Sequence, residues 1–337
     1  MTDRNSLVAT AEAHGGSELE RVDYLDGWRG IAIALVLHEH FIGPPGWLIS
    51  GRFGVDVFFC LSGMLMSNIL FVRGVPLSTF YQRRASRILP VFLLFVLVSH
   101  TIAWWANKPF SWVEFVSTVL FLRTYIPDSP DIWHSSLPIG HLWSLNAEEH
   151  CYIFLSLLTL LTFLKQWRGV VLIAAGILSI AIHIAYIKLP GLAPKSGALG
   201  TEVVASHLLL SAGYFLFRHR MAHLVKPWMP VITFIATAYC YTTFAPWWSA
   251  MLISPFLLAF TVNHLSETPA LVRSSLAHPA IRLLGIWSYS IYIWQQPFYS
   301  FRTSFPPGGA LLAAMLISLA SFYLFENPVR AWLNRNM

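Results

Sequence analysis

The stretch "RGIAIALVLHEHF", Arg29–Phe41, is apolar enough in its middle to cross a bilayer, yet it opens on Arg29 and closes on His38, Glu39 and His40. Charged and titratable groups are costly inside a membrane, so those found in or next to a span are candidates for function. Helical phase sorts the ends of this stretch. Eleven steps of 100° bring His40 back to the face of Arg29 after about three turns, about 16 Å further along the axis. His38 projects from the opposite face. Arg29 alone also fits a snorkelling flank on the cytoplasmic side, and His40 alone fits a hydrogen-bonded interfacial histidine.

The whole chain supports the membrane reading. Of 337 residues 56% are apolar and 11% charged, and the mean hydropathy is +0.59. Soluble domains carry about a quarter charged residues. The 14 Trp and 24 Phe fit an interfacial belt and lipid contacts. The net charge of +6 reads as Lys and Arg retained on the cytoplasmic side, not as a nucleic-acid surface. Cys60, Cys151 and Cys240 lie in apolar segments without CxxC spacing and read as small buried hydrophobes.

Ten stretches reach the about 20 residues a span requires, near 25–43, 53–72, 88–106, 141–164, 169–188, 198–217, 227–245, 247–265, 280–300 and 307–326. An eleventh, 110–122, is short and contains Glu114. With ten crossings and a cytoplasmic N-terminus, 16 Lys and Arg fall inside, and Arg52, Lys108, Arg123, Lys188, Lys195 and Arg302 fall outside. If 110–122 also crosses, the division becomes 11 and 11. The positive-inside rule therefore favours an all-α polytopic membrane protein with about ten transmembrane helices, both termini cytoplasmic, and 110–122 on the outer face. Residues 1–22 are polar and read as a disordered cytoplasmic tail before one membrane domain, 23–337. The Pro-rich interval 123–140 is an external loop long enough to cover a site.

Two further clusters carry chemistry. In "HLWSLNAEEHCYIF", His141, Leu145, Glu148 and Tyr152 share one helix face. A carboxylate there can orient a histidine for acyl transfer, and in the ten-span topology Glu148 and His40 both lie toward the outer side, where they could meet. Glu148 also fits a structural ion pair. In "FYQRRASRILP", Arg83, Arg84 and Arg87 form a basic cluster in a cytoplasmic loop. Arginine forks suit phosphates such as those of coenzyme A, although the cluster also fits a topology determinant. No GxxxxGK[ST], GxGxxG, HExxH or GxSxG pattern occurs, which leaves nucleotide hydrolysis, dinucleotide chemistry, a zincin metal site and a serine nucleophile unsupported.

Taken in order, "YLDGWRGIAIALVLHEHF", "FGVDVFFCLSG", "FYQRRASRILPVF", "HLWSLNAEEHCYIF", "LGIWSYSIYIWQQP" and the terminal "FENP" resemble the acyltransferase-3 family of integral membrane acyltransferases over about residues 23–330. The resemblance implies a ten-helix membrane domain that moves acyl groups, usually acetyl, from cytosolic acyl-CoA to hydroxyls of sugars. The family's Arg and His of the first span fall on Arg29 and His40, its arginine motif on Arg84 and Arg87, and its WSLxxE glutamate on Glu148. Many members carry a His where this chain has Gln295, which leaves Gln295 outside the catalytic set.

The expectation is a membrane-bound O-acyltransferase of the bacterial inner membrane. Acyl-CoA, with acetyl-CoA foremost, is the co-substrate, and no cofactor is permanently bound and no metal required. The partners are a glycan, glycolipid or other sugar-containing acceptor and the lipid bilayer. His40 is general base or transient acyl carrier, Glu148 orients it, and Arg29, Arg83, Arg84 and Arg87 bind the donor. The rival is a transporter whose Arg, His and Glu line a substrate or proton path.

Overall fold

The structure is a computed structural model that describes residues 23–43, 46–194 and 197–336. The polar tail at 1–22 lies outside the described residues. Within them the chain is helical, with no strand and one isolated bridge between Leu48 and Thr242.

Helix α1 (Asp23–Leu37) runs on through a π turn at His38–Ile42, and α2 (Ser50–Ser67) ends likewise at Asn68–Val72. Then come α3 (Leu77–Trp105), α4 (Trp112–Val119), α5 (Trp143–Leu160), α6 (Arg168–Lys188), α7 (Thr201–Val204) and α8 (Ser206–Met221). The last part holds α9 (Met229–Cys240), α10 (Ser249–Leu252), α11 (Ser254–Asn263), α12 (Ala270–Leu276), α13 (Pro279–Ser300) and α14 (Gly309–Ser321). A third π turn, Phe322–Glu326, leads into α15 (Asn327–Asn336).

Every stretch expected to span is helical, but the helices are unequal. Four segments are long and apolar enough to cross a membrane by length and composition: Ser50–Val72, Leu77–Trp105, Arg168–Lys188 and Gly309–Asn336. The stretches near 227–245 and 247–265 fold as helices of 12 and 10 residues at α9 and α11. At 1.5 Å per residue they are shorter than the about 30 Å hydrocarbon core. Segment 110–122 yields only α4, of 8 residues, too short to cross. A capping box between Ser111 and Glu114 starts it. Glu114 then pairs at 2.9 Å with Arg123, whose side chain is fully buried. The 123–140 interval is thereby tied down, with Arg123 also donating to the carbonyls of Pro130 and Asp131.

Close backbone approach sets the centre of the bundle. Helices α1 and α13 cross at glycines: a Cβ on Gly285 would lie 1.7 Å from the Asp26 carbonyl oxygen, and one on Gly30 2.1 Å from that of Ile281. Without hydrophobic drive between helices in lipid, such contacts let dispersion and backbone dipoles hold them together. The apolar surface is turned outward: Trp104, Leu160, Leu178, Ile235 and Leu312 are exposed. In water this would be an aggregation liability, whereas in a bilayer it is the lipid-facing belt.

Candidate active site

Two cavities lie at successive depths along α1. The inner one is narrow, about 110 Å³, and the outer one is wider, about 520 Å³. Arg29 lines the first and His40 the second. The three turns between them become an axial separation, as the spacing predicts.

His40 does not sit on regular α-helix. It lies in the π turn that ends α1, where the altered winding changes the phase expected from 100° per residue. Its Nδ1 is 2.6 Å from Oε1 of Gln295 on α13, and its ring stacks on Tyr299 with centroids 4.1 Å apart. An amide oxygen only accepts, so Nδ1 carries the proton and Nε2 keeps its lone pair. In this orientation of the amide, Gln295 Nε2 also donates to Gln296 Oε1 at 3.4 Å. The flanking residues of the turn are tied to the start of α2. His38 Nδ1 lies 2.9 Å from Ser50 Oγ, and Glu39 accepts from the Gly51 amide at 2.6 Å.

The expected meeting of Glu148 with His40 does not form. Glu148 lines the inner cavity, where it accepts from Ser62 Oγ at 2.5 Å and from the hydroxyl of Tyr152, and lies 3.9 Å from Arg84. Tyr152 follows Glu148 by one helical turn, so the shared face read from the sequence is real. The other partners of Glu148 come from α2 (Ser62) and α3 (Arg84), not from the π turn of α1.

The arginines separate into three roles. Arg84 grips Glu149 with Nε and a terminal nitrogen at 2.7–3.1 Å, and its guanidinium lies 3.5 Å from the centre of the Tyr152 ring. Its fork is therefore filled by protein. Arg83 is exposed and lies outside the cavity lining. Arg87 lines the cavity and makes no hydrogen bond or ion pair with the described residues, while Arg29 shares one nitrogen with Asp26 at 2.9 Å. Arg29 and Arg87 are the cations that face open space.

Between the two cavities stand Tyr292 and His141. The Tyr292 hydroxyl is 2.5 Å from Ser144 Oγ and 2.8 Å from the His141 carbonyl oxygen. His141 is buried and packs edge-on against Phe95, with neither ring nitrogen in hydrogen-bonding geometry. Tyr292 and Ser144 line the inner cavity, and Gln295, three residues beyond Tyr292 on α13, holds the histidine of the outer one. The divide between the cavities is thus one turn of α13 and the start of α5.

Gln295 is the residue that sequence reasoning missed. A signal existed, because a family histidine is replaced there, but a neutral amide carries no mark of chemistry until its partner is known. Arg29, Arg84, Arg87 and Glu148 line one chamber and His40 the other, and the model of the acyltransferase-3 family, an acyltransferase domain, matches residues 22–329. The chain belongs to that family. It is 26% identical to the peptidoglycan O-acetyltransferase OatA of Listeria monocytogenes over 92% of this chain and 56% of that protein. It is 24% identical to the O-acetyltransferase OatA of Staphylococcus aureus over 91% of this chain and 57% of that protein. The chain thus spans a little over half the length of these relatives. No solved structure matches it.

Proposed function

We propose that this chain transfers an acetyl group from acetyl-CoA to a hydroxyl of a glycan acceptor at a bacterial cytoplasmic membrane. The observation that carries the reading is the 2.6 Å contact between His40 Nδ1 and Gln295 Oε1, which leaves Nε2 as a base in the wider cavity. The name of the Listeria monocytogenes relative, a peptidoglycan O-acetyltransferase, supports a glycan acceptor.

In this reading the chain crosses the bilayer ten times with both termini inside, the arrangement that leaves 16 of 22 Lys and Arg on the cytoplasmic side. The Arg87 end of the inner cavity then faces the cytoplasm and the His40 end faces out. The donor's phosphates meet Arg87 and Arg29, with Arg83 adding field at the rim and Arg84 holding the wall through Glu149. The pantetheine arm needs only a narrow path and lies along the inner cavity, past the Ser62–Glu148–Tyr152 cluster to Tyr292. His40 Nε2 accepts the proton of the acceptor hydroxyl as its oxygen attacks the thioester carbonyl. The carbon–sulfur bond breaks, and the leaving thiolate takes the proton from the imidazolium. Bringing the thioester and the acceptor hydroxyl into contact where the two chambers meet supplies proximity without a covalent carrier. Glu148 keeps the inner wall in shape and does not touch His40.

The test is label transfer by purified protein in lipid nanodiscs, given acetyl-CoA labelled in the acetyl group and peptidoglycan fragments. Wild type should acetylate the fragments, and His40→Ala should be slower by about 10²–10⁴-fold, the usual contribution of a positioned base. A His40→Ala enzyme at the wild-type rate would sink the reading. Solute movement across vesicles without thioester consumption would favour a transporter instead.

A further inference from the structure

A third cavity, about 190 Å³, lies at the His40 end of the bundle and belongs to neither chamber described above. It is lined by Arg52, His183, Ser206, His207, Tyr241 and Trp247, among others. Its wall is a buried polar network. Arg52 Nε donates to Asp56 Oδ2 at 2.9 Å, and the Tyr241 hydroxyl donates to the same oxygen at 2.7 Å. His207 Nε2 is 2.9 Å from Ser254 Oγ and 3.2 Å from the Tyr241 hydroxyl. Asp56 and His207 are both nearly fully buried. Their remaining atoms, Oδ1 and Nδ1, face each other at 3.5 Å without a hydrogen bond. The terminal nitrogens of Arg52 make no hydrogen bond with the described residues. The Asp56–His207 pair is closed off within the wall, so the unfilled terminal nitrogens of Arg52 are the donors of this network that a molecule in the cavity can meet.

The lining also limits what enters. Asp56 balances the charge of Arg52, so no net charge is left over to draw in an anion. Among the described residues no group of His, Cys, Asp and Glu could hold a metal ion. What remains is a set of donors and acceptors in several directions with one exposed indole, Trp247, beside them. Those are the requirements of a neutral, hydroxyl-rich ring with one apolar face.

The cavity's position ties it to the outer chamber. A short strap, residues 46–49, runs between the two. Gly46, Leu48 and Ile49 line the His40 chamber, while the strap's other edge is bonded to the residues at the far cavity. The Ile49 amide donates to the Tyr241 carbonyl at 2.9 Å, and the Thr243 amide donates to that of Trp47 at 2.8 Å.

We propose that this cavity is a saccharide subsite that holds a neighbouring sugar of an extended glycan whose acceptor unit lies at His40. The proposal rests on the glycan-acceptor reading. Arg52 and His183 donate to ring hydroxyls, and Trp247 covers the apolar face. The strap sets the separation between the two sugars.

The experiment is calorimetry on the full chain in nanodiscs, with tetra-N-acetylchitotetraose and N-acetylglucosamine as probes. The tetrasaccharide should bind at least tenfold tighter than the monosaccharide. Trp247→Ala and His183→Ala, both checked for an unchanged melting temperature, should remove that advantage and leave monosaccharide binding as it was. Equal binding of the two probes would overturn the proposal. So would an advantage that survives both substitutions, or displacement of the tetrasaccharide by millimolar inorganic phosphate, which would mark an anion site. Labelled acetyl transfer to the same probes separates this idea from the function itself. A subsite-dependent affinity with no transfer would leave the subsite standing and remove the enzyme reading. Transfer to both probes at one rate, indifferent to Trp247→Ala, would do the reverse.

Discussion

His40 Nδ1 and Gln295 Oε1 lie 2.6 Å apart across 255 positions of chain. The contact determines which imidazole nitrogen is free to act, because an amide oxygen can accept a proton's hydrogen bond but never offer one. Gln295→Leu should therefore lower kcat about tenfold to hundredfold, a fraction of the about 10²–10⁴ a placed base supplies. The KM for acetyl-CoA should not move. Gln295→Glu keeps an acceptor and should retain most of the rate. Steady-state kinetics of the three enzymes decide it, and equal rates for Leu and Glu would remove Gln295 from the mechanism.

The cations of the inner cavity should differ in their effects. Arg87 faces the cavity unpaired, so Arg87→Ala should raise the KM for acetyl-CoA about tenfold, the loss of one charge-assisted contact worth about 1.5–3 kcal/mol. Arg83 is exposed and away from the lining, and Arg83→Ala should change KM less than about twofold. A larger effect at Arg83 than at Arg87 would contradict the assignment.

Arg84 is a different case, since its fork is filled by Glu149. The side chains are 12% and 17% exposed, so removing either partner leaves a mostly buried charge. Arg84→Ala and Glu149→Ala should each cost about 2–4 kcal/mol, somewhat less than a fully buried pair. The double variant should cost less than the sum of the two. Thermal denaturation in detergent gives the three values, and strict additivity would show that the pair is not coupled.

The crossing of α1 and α13 has no room for a side chain at Gly285, where a Cβ would lie 1.7 Å from the Asp26 carbonyl oxygen. Gly285→Val should abolish the folded, monodisperse protein on size-exclusion chromatography. Gly43 has open space around a Cβ, but its φ of +87° and ψ of 140° are adopted readily by glycine alone, so Gly43→Ala should lower the melting temperature through backbone strain and not through a clash.

Topology can be read with introduced cysteines. In a ten-crossing chain, a cysteine beside Lys188 should react with an impermeant maleimide in intact cells, and one beside Lys165 only after permeabilisation. The opposite pattern would invert the membrane orientation and move His40 to the cytoplasmic side.

Much of the site was legible because it lies close in sequence or on one helix. The axial spacing of Arg29 and His40 follows from helical rise alone, and Tyr152 beside Glu148 follows from one turn of α5. Residues brought together from distant helices were not legible. Glu148 looked like a partner for His40 because both were assigned to the outer side, but helix rotation and depth place it among Ser62, Tyr152 and Arg84. Likewise "RRASR" reads as a phosphate fork, and only packing shows that Glu149 already occupies Arg84.

By itself, the sequence determined that this is a helical membrane protein, which segments are helical, and which polar groups are too costly to be idle. Those are consequences of local composition and period, because the bilayer tolerates little else. The tertiary structure alone decided who holds whom: Gln295 on His40, Glu149 on Arg84, Ser62 on Glu148, and two chambers separated by one turn of α13. The reason is physical. A hydrogen bond needs about 3 Å and the right direction, and helix rotation, crossing angle and the π turn at His38–Ile42 set both, over distances in the chain that no local pattern spans.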